Sequence, residues 1–329
     1  MGQAPSYSPD YDSRSLWFYN QALKDQPCLL PDIGIDESLL KYSGTDSNGV
    51  LQAFSKEMVN TVPGYIGRLG SVFAPMTSIP HAVGLGALVI SLIIEIIIKG
   101  SSQPSDHTYN MLRRVFGEEK ASSVRDTMSE YLRRHRMFMN DDQRLREEIR
   151  RLEQQLSNHL TILRNSLQHD GQMSSRGFKI WVNGAAFHVQ MLIHAARLNI
   201  QTGTPASDHV DAIKAAIDLY LQDLDRLLEK YKTYKINSNF FRYTVGFAGG
   251  AGYVPNFCFM INDEIKNCGL QIQYNFDCRN PQMITTFMNV VYSNYEPIIG
   301  LKSYFINIKN DLNSLIRQRG SFTVPSAAG

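Results

Sequence analysis

The chain has 329 residues, of which 43 % are hydrophobic and 19 % are charged, so it can bury a core in one large domain or two smaller ones. Its formal net charge of +2 gives no strong positive field, so nucleic acid is not expected as a partner. The first residues are polar and contain no apolar h-region, which argues against a secretory signal peptide and favours a cytoplasmic location, with or without membrane association.

The first segment, residues 1–48, is predicted to be an irregular arm. Its opening residues, Met-Gly-Gln-Ala-Pro-Ser, fit the pattern for N-myristoylation at Gly2. Pro5 and the absence of a nearby Lys or Arg make this a less than ideal site. A single acyl chain attaches a protein to membranes only reversibly, so a second membrane-binding element would be required.

The candidate for that element is the apolar segment 81–99, HAVGLGALVISLIIEIIIK. Its 16 residues from Val83 to Ile98 would form a helix about 24 Å long, which is short of the ~30 Å hydrocarbon core. Three structures fit this segment: the buried core of a soluble bundle, a helix that inserts conditionally, and a constitutive span. The residues expected to enter the bilayer are Val83, Leu85, Leu88, Leu92, Ile93, Ile96 and Ile97.

Two neighbouring features bear on the membrane interpretation of this segment. Glu95 lies four residues before Lys99, so the two side chains can pair on one helix face, and Lys99 can reach a lipid headgroup. The preceding segment 62–80 is rich in Gly and Pro and could form the other arm of a hydrophobic hairpin.

Residues 50–236 are predicted to form a helical bundle, because apolar residues recur there at helical spacing. One stripe has intervals of three and four residues, typical of helix-on-helix packing: Leu145, Ile149, Leu152, Leu156, Leu160, Leu163 and Leu167. A coiled-coil dimer and an intramolecular hairpin both explain it, and the amphipathic helix after Gly171 favours the hairpin. In that next helix, the small residues 184–186 would let a neighbouring helix approach closely.

A basic cluster lies upstream of the leucine stripe. Arg133, Arg134 and Arg136 are candidates, with Lys99, for contact with lipid headgroups. The alternative is a solvated helix face, because acidic residues follow in the same region at spacings that allow ion pairs.

Histidine and cysteine spacing offers no metal site. His188 and His194 are six residues apart, so they do not share a helix face as a zinc-binding pair would, and we expect core or surface roles. Cys28, Cys258, Cys268 and Cys278 also lack the close pairs of a zinc site and are expected to be free thiols. A disulfide among the last three is the alternative in an oxidising compartment.

Residues 240–319 are predicted to form a Gly- and aromatic-rich element followed by C-terminal helices that pack on the bundle. The glycine run 246–252 lacks the Gly-Lys-Ser/Thr ending of a phosphate loop. Alternation over 270–276 predicts a strand, so a small irregular or β element is expected near 243–276, with a membrane-touching tongue as the functional alternative. Pro297 marks a helix break, and the tail 320–329 is expected to be disordered.

This layout resembles the rapunzel-type proteins of bony fish, in which a Gly-rich apolar hairpin region, here 62–98, precedes long charged amphipathic helices. The helix Lys179–Arg197, KIWVNGAAFHVQMLIHAAR, is the most family-like part. The layout is also similar to haemolysin E-type toxins, which hide an apolar hairpin in a helical bundle. The resemblance covers about residues 60–235, the extension after 240 departs from the rapunzel pattern, and it implies no catalytic residues.

The sequence therefore predicts a mostly α fold, an elongated multi-helix bundle around a central apolar helix or hairpin. The predicted function is non-enzymatic and membrane-associated or conditionally membrane-inserting, similar to a pore former, with membrane lipid and further copies of the chain as partners. The alternative is a soluble cytosolic interaction or structural protein with 81–99 as buried core. No nucleophile elbow, metal helix, Rossmann loop or kinase signature is visible, so no cofactor or small-molecule substrate is predicted.

Overall fold

The structure, a computed structural model, describes residues 10–25, 27–99, 110–116, 122–248, 252–262, 267–272 and 281–326. These ranges contain twelve α-helices, a 3-10 helix at Pro27–Leu29 and two small antiparallel sheets, which confirms the mostly α multi-helix prediction. The helices are α1 (Tyr11–Lys24), α2 (Glu37–Tyr42), α3 (Ser47–Thr61), α4 (Tyr65–Phe73), α5 (Leu85–Lys99), α6 (Asn110–Phe116), α7 (Ser123–Phe138), α8 (Asp142–Gln168), α9 (Ser175–Ile200), α10 (Ala206–Ser238), α11 (Pro281–Asn294) and α12 (Glu296–Arg317). The strands are β1 (Ser78–Pro80), β2 (Asn239–Ala248), β3 (Gly252–Asn262), β4 (Asn267–Ile272) and β5 (Ser321–Thr323).

Helix α9 lies at the centre of the described structure, in contact with α2, α5, α6, α7, α8, α10 and α12. Nineteen of its 26 residues are buried, so it is enclosed around most of its circumference. At its midpoint, a Cβ added to Gly184 would lie 2.7 Å from Leu160 Cδ2 and 2.9 Å from Val124 Cγ1. The predicted close helix approach at this glycine is confirmed, and it involves both α7 and α8.

Helix α5, which contains most of the apolar segment, is a second internal helix. It packs against α2, α3, α4, α6, α7 and α9. The bundle is therefore organised around two enclosed helices, and not around the apolar segment alone. A helix can be buried in this way only if neighbours cover it on every apolar side, which these six helices do here.

The leucine stripe of α8 packs within the same chain. Its residues Leu145, Ile149, Leu152, Leu156, Leu160 and Leu167 are buried, and α8 contacts α7 and α9. Asp141 begins the helix by accepting a hydrogen bond from Arg144 N at 3.1 Å. Gly171, with φ of +72°, supplies the left-handed residue that turns the chain back towards α9. The intramolecular hairpin is the interpretation that the structure confirms.

The predicted irregular arm 1–48 is wrong for residues 11–24 and 37–42, which form α1 and α2. Phe18 and Tyr19 are buried as α1 packs on α11, and Tyr19 Oη donates to Asn294 O at 2.9 Å. The Asp, Ser and Asn residues of α1 have low helix propensity, so the sequence pattern underestimates it. Packing on a helix more than 250 residues away overrides that propensity.

The tail prediction is wrong over 321–323, because β5 pairs antiparallel with β1 and aligns Phe322 with Ile79. Both side chains are fully buried, and the Phe322 ring lies 6.3 Å, centroid to centroid, from Phe73. A three-residue strand is too short to show periodicity, so only the tertiary structure reveals it. The pairing ties the chain after α12 to the turn that precedes α5.

The C-terminal part agrees with the sequence prediction. Strands β2, β3 and β4 form an antiparallel sheet in sequence order, with Asn239 opposite Ile261 and Ala248 opposite Gly252. The predicted β element is thus confirmed, with boundaries at 239–272 in the described residues. Helix α11 ends at Asn294, and Pro297 lies in the first turn of α12, which confirms the predicted break.

Candidate functional site

The residues predicted to enter a membrane are mostly buried in the bundle. Six of the seven have relative exposures of 9 % or less, namely Val83, Leu85, Leu88, Leu92, Ile93 and Ile97. Ile96 is the exception and is 38 % exposed. Within the described ranges, no helix combines the length and apolar content that crossing a bilayer requires. Arg68 of α4 donates from Nη1 to Ile97 O at 3.3 Å, where a cation interacts favourably with the carbonyl end of α5.

The predicted headgroup residues are divided between two helices. Lys99 is the last residue of α5, and its side chain lies outside the described part of the structure. On α7, Arg133 and Arg136 are exposed, whereas Arg134 is half-buried and donates from Nε to Glu130 Oε1 at 2.6 Å. Met137, 57 % exposed, lies four residues after Arg133, one helical turn further along α7. We call Arg133, Arg136 and Met137 the α7 surface.

A cluster of polar side chains lies inside the bundle, beside the first turn of α5. It contains His81 from the turn before α5, Tyr131 and His135 from α7, and His194 and Arg197 from α9. The rings of His135 and His194 are 5.2 Å apart and those of His81 and His194 are 6.5 Å apart, centroid to centroid. Tyr131 Oη lies 3.0 Å from His194 Nδ1. We call His81, His135 and His194 the histidine cluster.

The histidine cluster is only partly satisfied by hydrogen bonds. Both ring nitrogens of His135 and the Nε2 of His194 are buried without a hydrogen-bond partner in the described structure. His81 differs, because its Nε2 lies 3.2 Å from Asp142 Oδ1 and its Nδ1 lies 3.3 Å from Gln201 Nε2. Buried polar atoms are nearly always paired in folded proteins, so three unpaired ring nitrogens at one place require a physical explanation.

Arg197 adds a buried positive charge to this region. Its guanidinium donates to Leu315 O at 2.7 Å, to Val83 O at 3.1 Å and to Gln318 Oε1 at 2.8 Å. All three described acceptors are neutral, so no carboxylate among them offsets the charge. A Cβ at Gly84 would lie 2.7 Å from Arg197 Nη1, and the φ of +53° at Gly84 also requires glycine. Arg197 therefore joins α9 to the chain after α12 and to the start of α5.

The electrostatic consequence is that both inner imidazoles are neutral at neutral pH. Burial, with a smaller contribution from His81, lowers the pKa of His135 to about 3. Burial also lowers the pKa of His194 well below its ordinary value, and His135, Arg197 and His81 lower it further. Burial lowers the pKa of Arg197 to about 10, so this side chain stays charged at neutral pH.

A second polar group on α9 is fully satisfied. His188 Nε2 lies 2.9 Å from Glu153 Oε1, and its Nδ1 lies 2.9 Å from Tyr220 Oη. His188 and Tyr220 line a cleft of about 230 Å³ between α8 and α10. Burial raises the pKa of Tyr220, so its hydroxyl is a poor acid. His188 and His194 are both buried, so of the core and surface roles expected for them the structure shows the core role.

No group of three His, Cys, Asp or Glu side chains in the described residues is arranged to hold a metal ion.

The free-thiol prediction is wrong for Cys28, which is disulfide-bonded. Strand β4 lies next to the 3-10 helix, a proximity that residue spacing does not reveal. Gly2 lies outside the described residues.

No protein-family profile, curated protein or solved structure matches the chain. The resemblance to rapunzel-type and haemolysin E-type proteins therefore stays a prediction. The function of the protein is therefore inferred from the composition of α5 and from the helices packed around it.

Sequence reasoning did not identify His81, His135 and Arg197 as members of one site. A signal was present for His135, which follows Met128, Tyr131 and Leu132 at helical spacing on the buried side of α7. Its position between Arg134 and Arg136 hides this signal within the basic cluster. For His81 and Arg197 no local pattern indicates that they meet, since they come together only through the packing of α9 beside the turn before α5.

Proposed function

We propose that this protein is a non-enzymatic, conditionally membrane-binding helical protein that stores the apolar helix α5 inside its fold and releases it to lipid. The observation that carries the proposal is the composition of α5 in its setting. Helix α5 is apolar around nearly its whole circumference, as both an enclosed core helix and a helix in lipid must be, whereas a surface helix needs only one apolar face. Such a helix is suited to two environments, a closed bundle and a membrane.

Part of the cover over α5, on which α3, α7 and α9 also pack, is built from short elements. Helices α2, α4 and α6 have 6, 9 and 7 residues, whereas α8, α9 and α10 have 27, 26 and 33. Helices shorter than about 12 residues are marginal on their own and depend on their tertiary contacts. Displacing this cover leaves the packing of the long helices on one another in place. The bundle can therefore open around α5 while α8, α9 and α10 stay together.

The α7 surface would make the first contact with anionic lipid. Arg133 and Met137 are exposed four residues apart on α7, so a charged and an apolar side chain share one helix face, and Arg136 is exposed beside them. Each basic residue close to an anionic membrane contributes about 1 kcal/mol.

The length of α5 favours interfacial or assembled insertion over a simple span. Its 15 residues give about 22 Å, which is less than the hydrocarbon thickness of ~30 Å. Several copies of the chain could together shield the polar ends and the Glu95 carboxylate. A homo-oligomer on the membrane is therefore part of the proposal.

The test is flotation and dye release with phosphatidylserine–phosphatidylcholine vesicles at pH 7.5 and 5.0. Ile96→Asp places a charge on the exposed side of α5, and Leu219→Asp, at a position 62 % exposed on α10, is its matched control. We expect dye release to fall at least tenfold in Ile96→Asp and to stay at the wild-type level in Leu219→Asp. Equal behaviour of the two variants, or no vesicle binding by the wild type at either pH, refutes the proposal.

The α7 surface is tested in the same assay. Arg133→Glu with Arg136→Glu should abolish flotation with anionic vesicles, whereas Arg226→Glu, 68 % exposed on α10, should not. A loss of flotation that is the same in both proteins would mean that the effect is one of net charge alone.

The second candidate function is a soluble interaction or structural protein, in which α5 is permanent core. The observation in its favour is the surface of α1, where Leu16, Trp17 and Leu23 are 48 %, 50 % and 48 % exposed. Large apolar side chains grouped in this way are typical of protein interfaces. It predicts that Trp17→Ala changes the oligomeric state measured by light scattering and leaves vesicle behaviour unchanged.

The disulfide at Cys28 bears on where either function would operate. Disulfides persist in oxidising compartments and are rare in the reducing cytoplasm. We propose that the protein works in an oxidising compartment or at a cell surface, which replaces the cytoplasmic location predicted from the sequence.

A further inference from the structure

The charges around the histidine cluster are unbalanced. His135 and His194 face each other, with Arg197 one turn further along α9. From α8, Asp142 approaches and pairs with His81, and Arg146 donates to Leu198 O at 3.5 Å. From the chain after α12 come only neutral groups, the Leu315 carbonyl and the Gln318 amide. In the described structure, therefore, no carboxylate contacts either inner imidazole.

We infer that the histidine cluster is an acid-operated latch, in which protonation of His135 or His194 opens the contact between α7, α9 and the start of α5 and so releases α5. The inference deepens the proposed function. It rests on that function for the claim that the released helix binds lipid, whereas the opening by acid is independent of it. It names mild acidity as the condition that makes membrane binding possible.

The physical reason is the cost of a second buried cation. With both inner imidazoles neutral, Arg197 is the charged group buried beside them, and neutral acceptors satisfy it. A proton on either imidazole adds a positive charge in a buried place that also holds the guanidinium. Opening transfers that charge to water, so protons bind the open state more tightly than the closed state. By linkage, lowering the pH favours opening.

The latch is connected to α5 by direct contacts. Arg197 Nη1 donates to Val83 O, and Gly84 N donates to Ser47 Oγ at 2.7 Å, two bonds that hold the turn before the helix. A Cβ on Gly86, in the first turn of α5, would lie 3.9 Å from His135 Nε2. The amino terminus of a helix carries a partial positive charge, so an imidazolium beside it is repelled by α5 itself. Protonation thus acts on the end of α5 that the latch holds.

The test is hydrogen–deuterium exchange of residues 81–99 in the full-length protein without lipid at pH 7.5 and 5.0, corrected for the intrinsic exchange rate. His135 alone should lower the protection of this segment by roughly 30-fold between the two pH values, and His194 should lower it further. His135→Phe with His194→Gln should abolish most of this change, since neither side chain titrates. His188→Gln, a buried histidine outside the cluster, is the matched control and should keep the wild-type pH dependence.

A loss of protection that is equal in the wild type and in the double variant would overturn the latch. So would unchanged protection of 81–99 in the wild type at pH 5.0. If the double variant does not fold, the wild type with ¹³C-labelled histidine gives the answer by NMR. The resonances of His135 and His194 should not titrate near pH 6.5 in the closed state, and titration there contradicts the inference.

Vesicle flotation separates this inference from the proposed function. Opening at pH 5.0 without binding to phosphatidylserine–phosphatidylcholine vesicles would support the latch and refute membrane binding. Equal vesicle binding at pH 7.5 and 5.0, with α5 still protected from exchange at pH 5.0, would support membrane binding and refute the latch.

Discussion

Replacing Gly184 with alanine sets two effects of known size against each other at the centre of α9. Alanine has a higher helix propensity than glycine, which stabilises a helix interior by about 1 kcal/mol. The new Cβ, however, would lie 2.7 Å from Leu160 Cδ2 and 2.9 Å from Val124 Cγ1, closer than van der Waals contact allows. Leucine can turn its methyl groups away, whereas the β-branched valine has few alternative rotamers.

Inserting a methyl group into a packed core costs about 1 to 3 kcal/mol. Subtracting the propensity gain leaves a net destabilisation of about 1 kcal/mol for Gly184→Ala. The matched control is Gly67→Ala in α4, where nothing lies within 4 Å of the added Cβ. This control should be stabilised by about 0.5 to 1 kcal/mol, because only the propensity effect applies.

The assay is urea unfolding of both variants and the wild type, followed by circular dichroism at pH 7.5. A variant Gly184→Ala that is stabilised as much as Gly67→Ala would refute the reasoning, since it would mean that α7 and α8 do not close on α9 at this point. A loss above about 3 kcal/mol would indicate that the interface cannot relax at all.

Three further predictions concern other parts of the fold. The pKa of His135 is lower in the folded than in the unfolded state, so its contribution to stability is complete above pH 6.5 and is lost towards pH 3. Between pH 7 and 5 the free energy of unfolding from urea titrations should therefore fall by about 2 kcal/mol. This fall should be absent in His135→Phe. Phe322→Ala should lower the free energy of unfolding by about 3 kcal/mol, and an unchanged value would mean that β5 does not pack on Ile79. Cys28→Ser should cost about 3 kcal/mol relative to the oxidised wild type, and this difference should vanish in reductant if the disulfide is its cause.

The helices of the bundle were predictable because their signals are local. The stripe from Leu145 to Leu167 carries its own periodicity, Asp141 supplies the cap, and Pro297 marks the break between α11 and α12. A core or surface role for His188 was also predictable, since a lone histidine within an apolar helix is usually a core residue and not a metal ligand. In each case the residues that decide the structure lie within a few positions of one another.

The candidate site could not be predicted in the same way. Its members are His81, Tyr131, His135, His194 and Arg197, which come from three separate stretches of the chain and meet only because α7 and the turn before α5 both pack on α9. No periodic pattern encodes such a meeting.

The same limit applies to the disulfide of Cys28 and to the pairing of β1 with β5. The paired strands lie more than 200 residues apart, and neither a three-residue strand nor a single cysteine leaves a local signal.

The pairing of β1 with β5 has a consequence for the synthesis of the protein. Residue 99, the end of the apolar helix, is translated more than 200 residues before Phe322, the centre of the strand that fastens its entrance. At roughly 5 to 20 residues per second, that interval lasts on the order of 10 to 40 s. During this interval the apolar helix has been synthesised but β1 has no β5 to pair with. We therefore expect chaperones to bind the nascent chain at this stage, and chains truncated before residue 321 to aggregate.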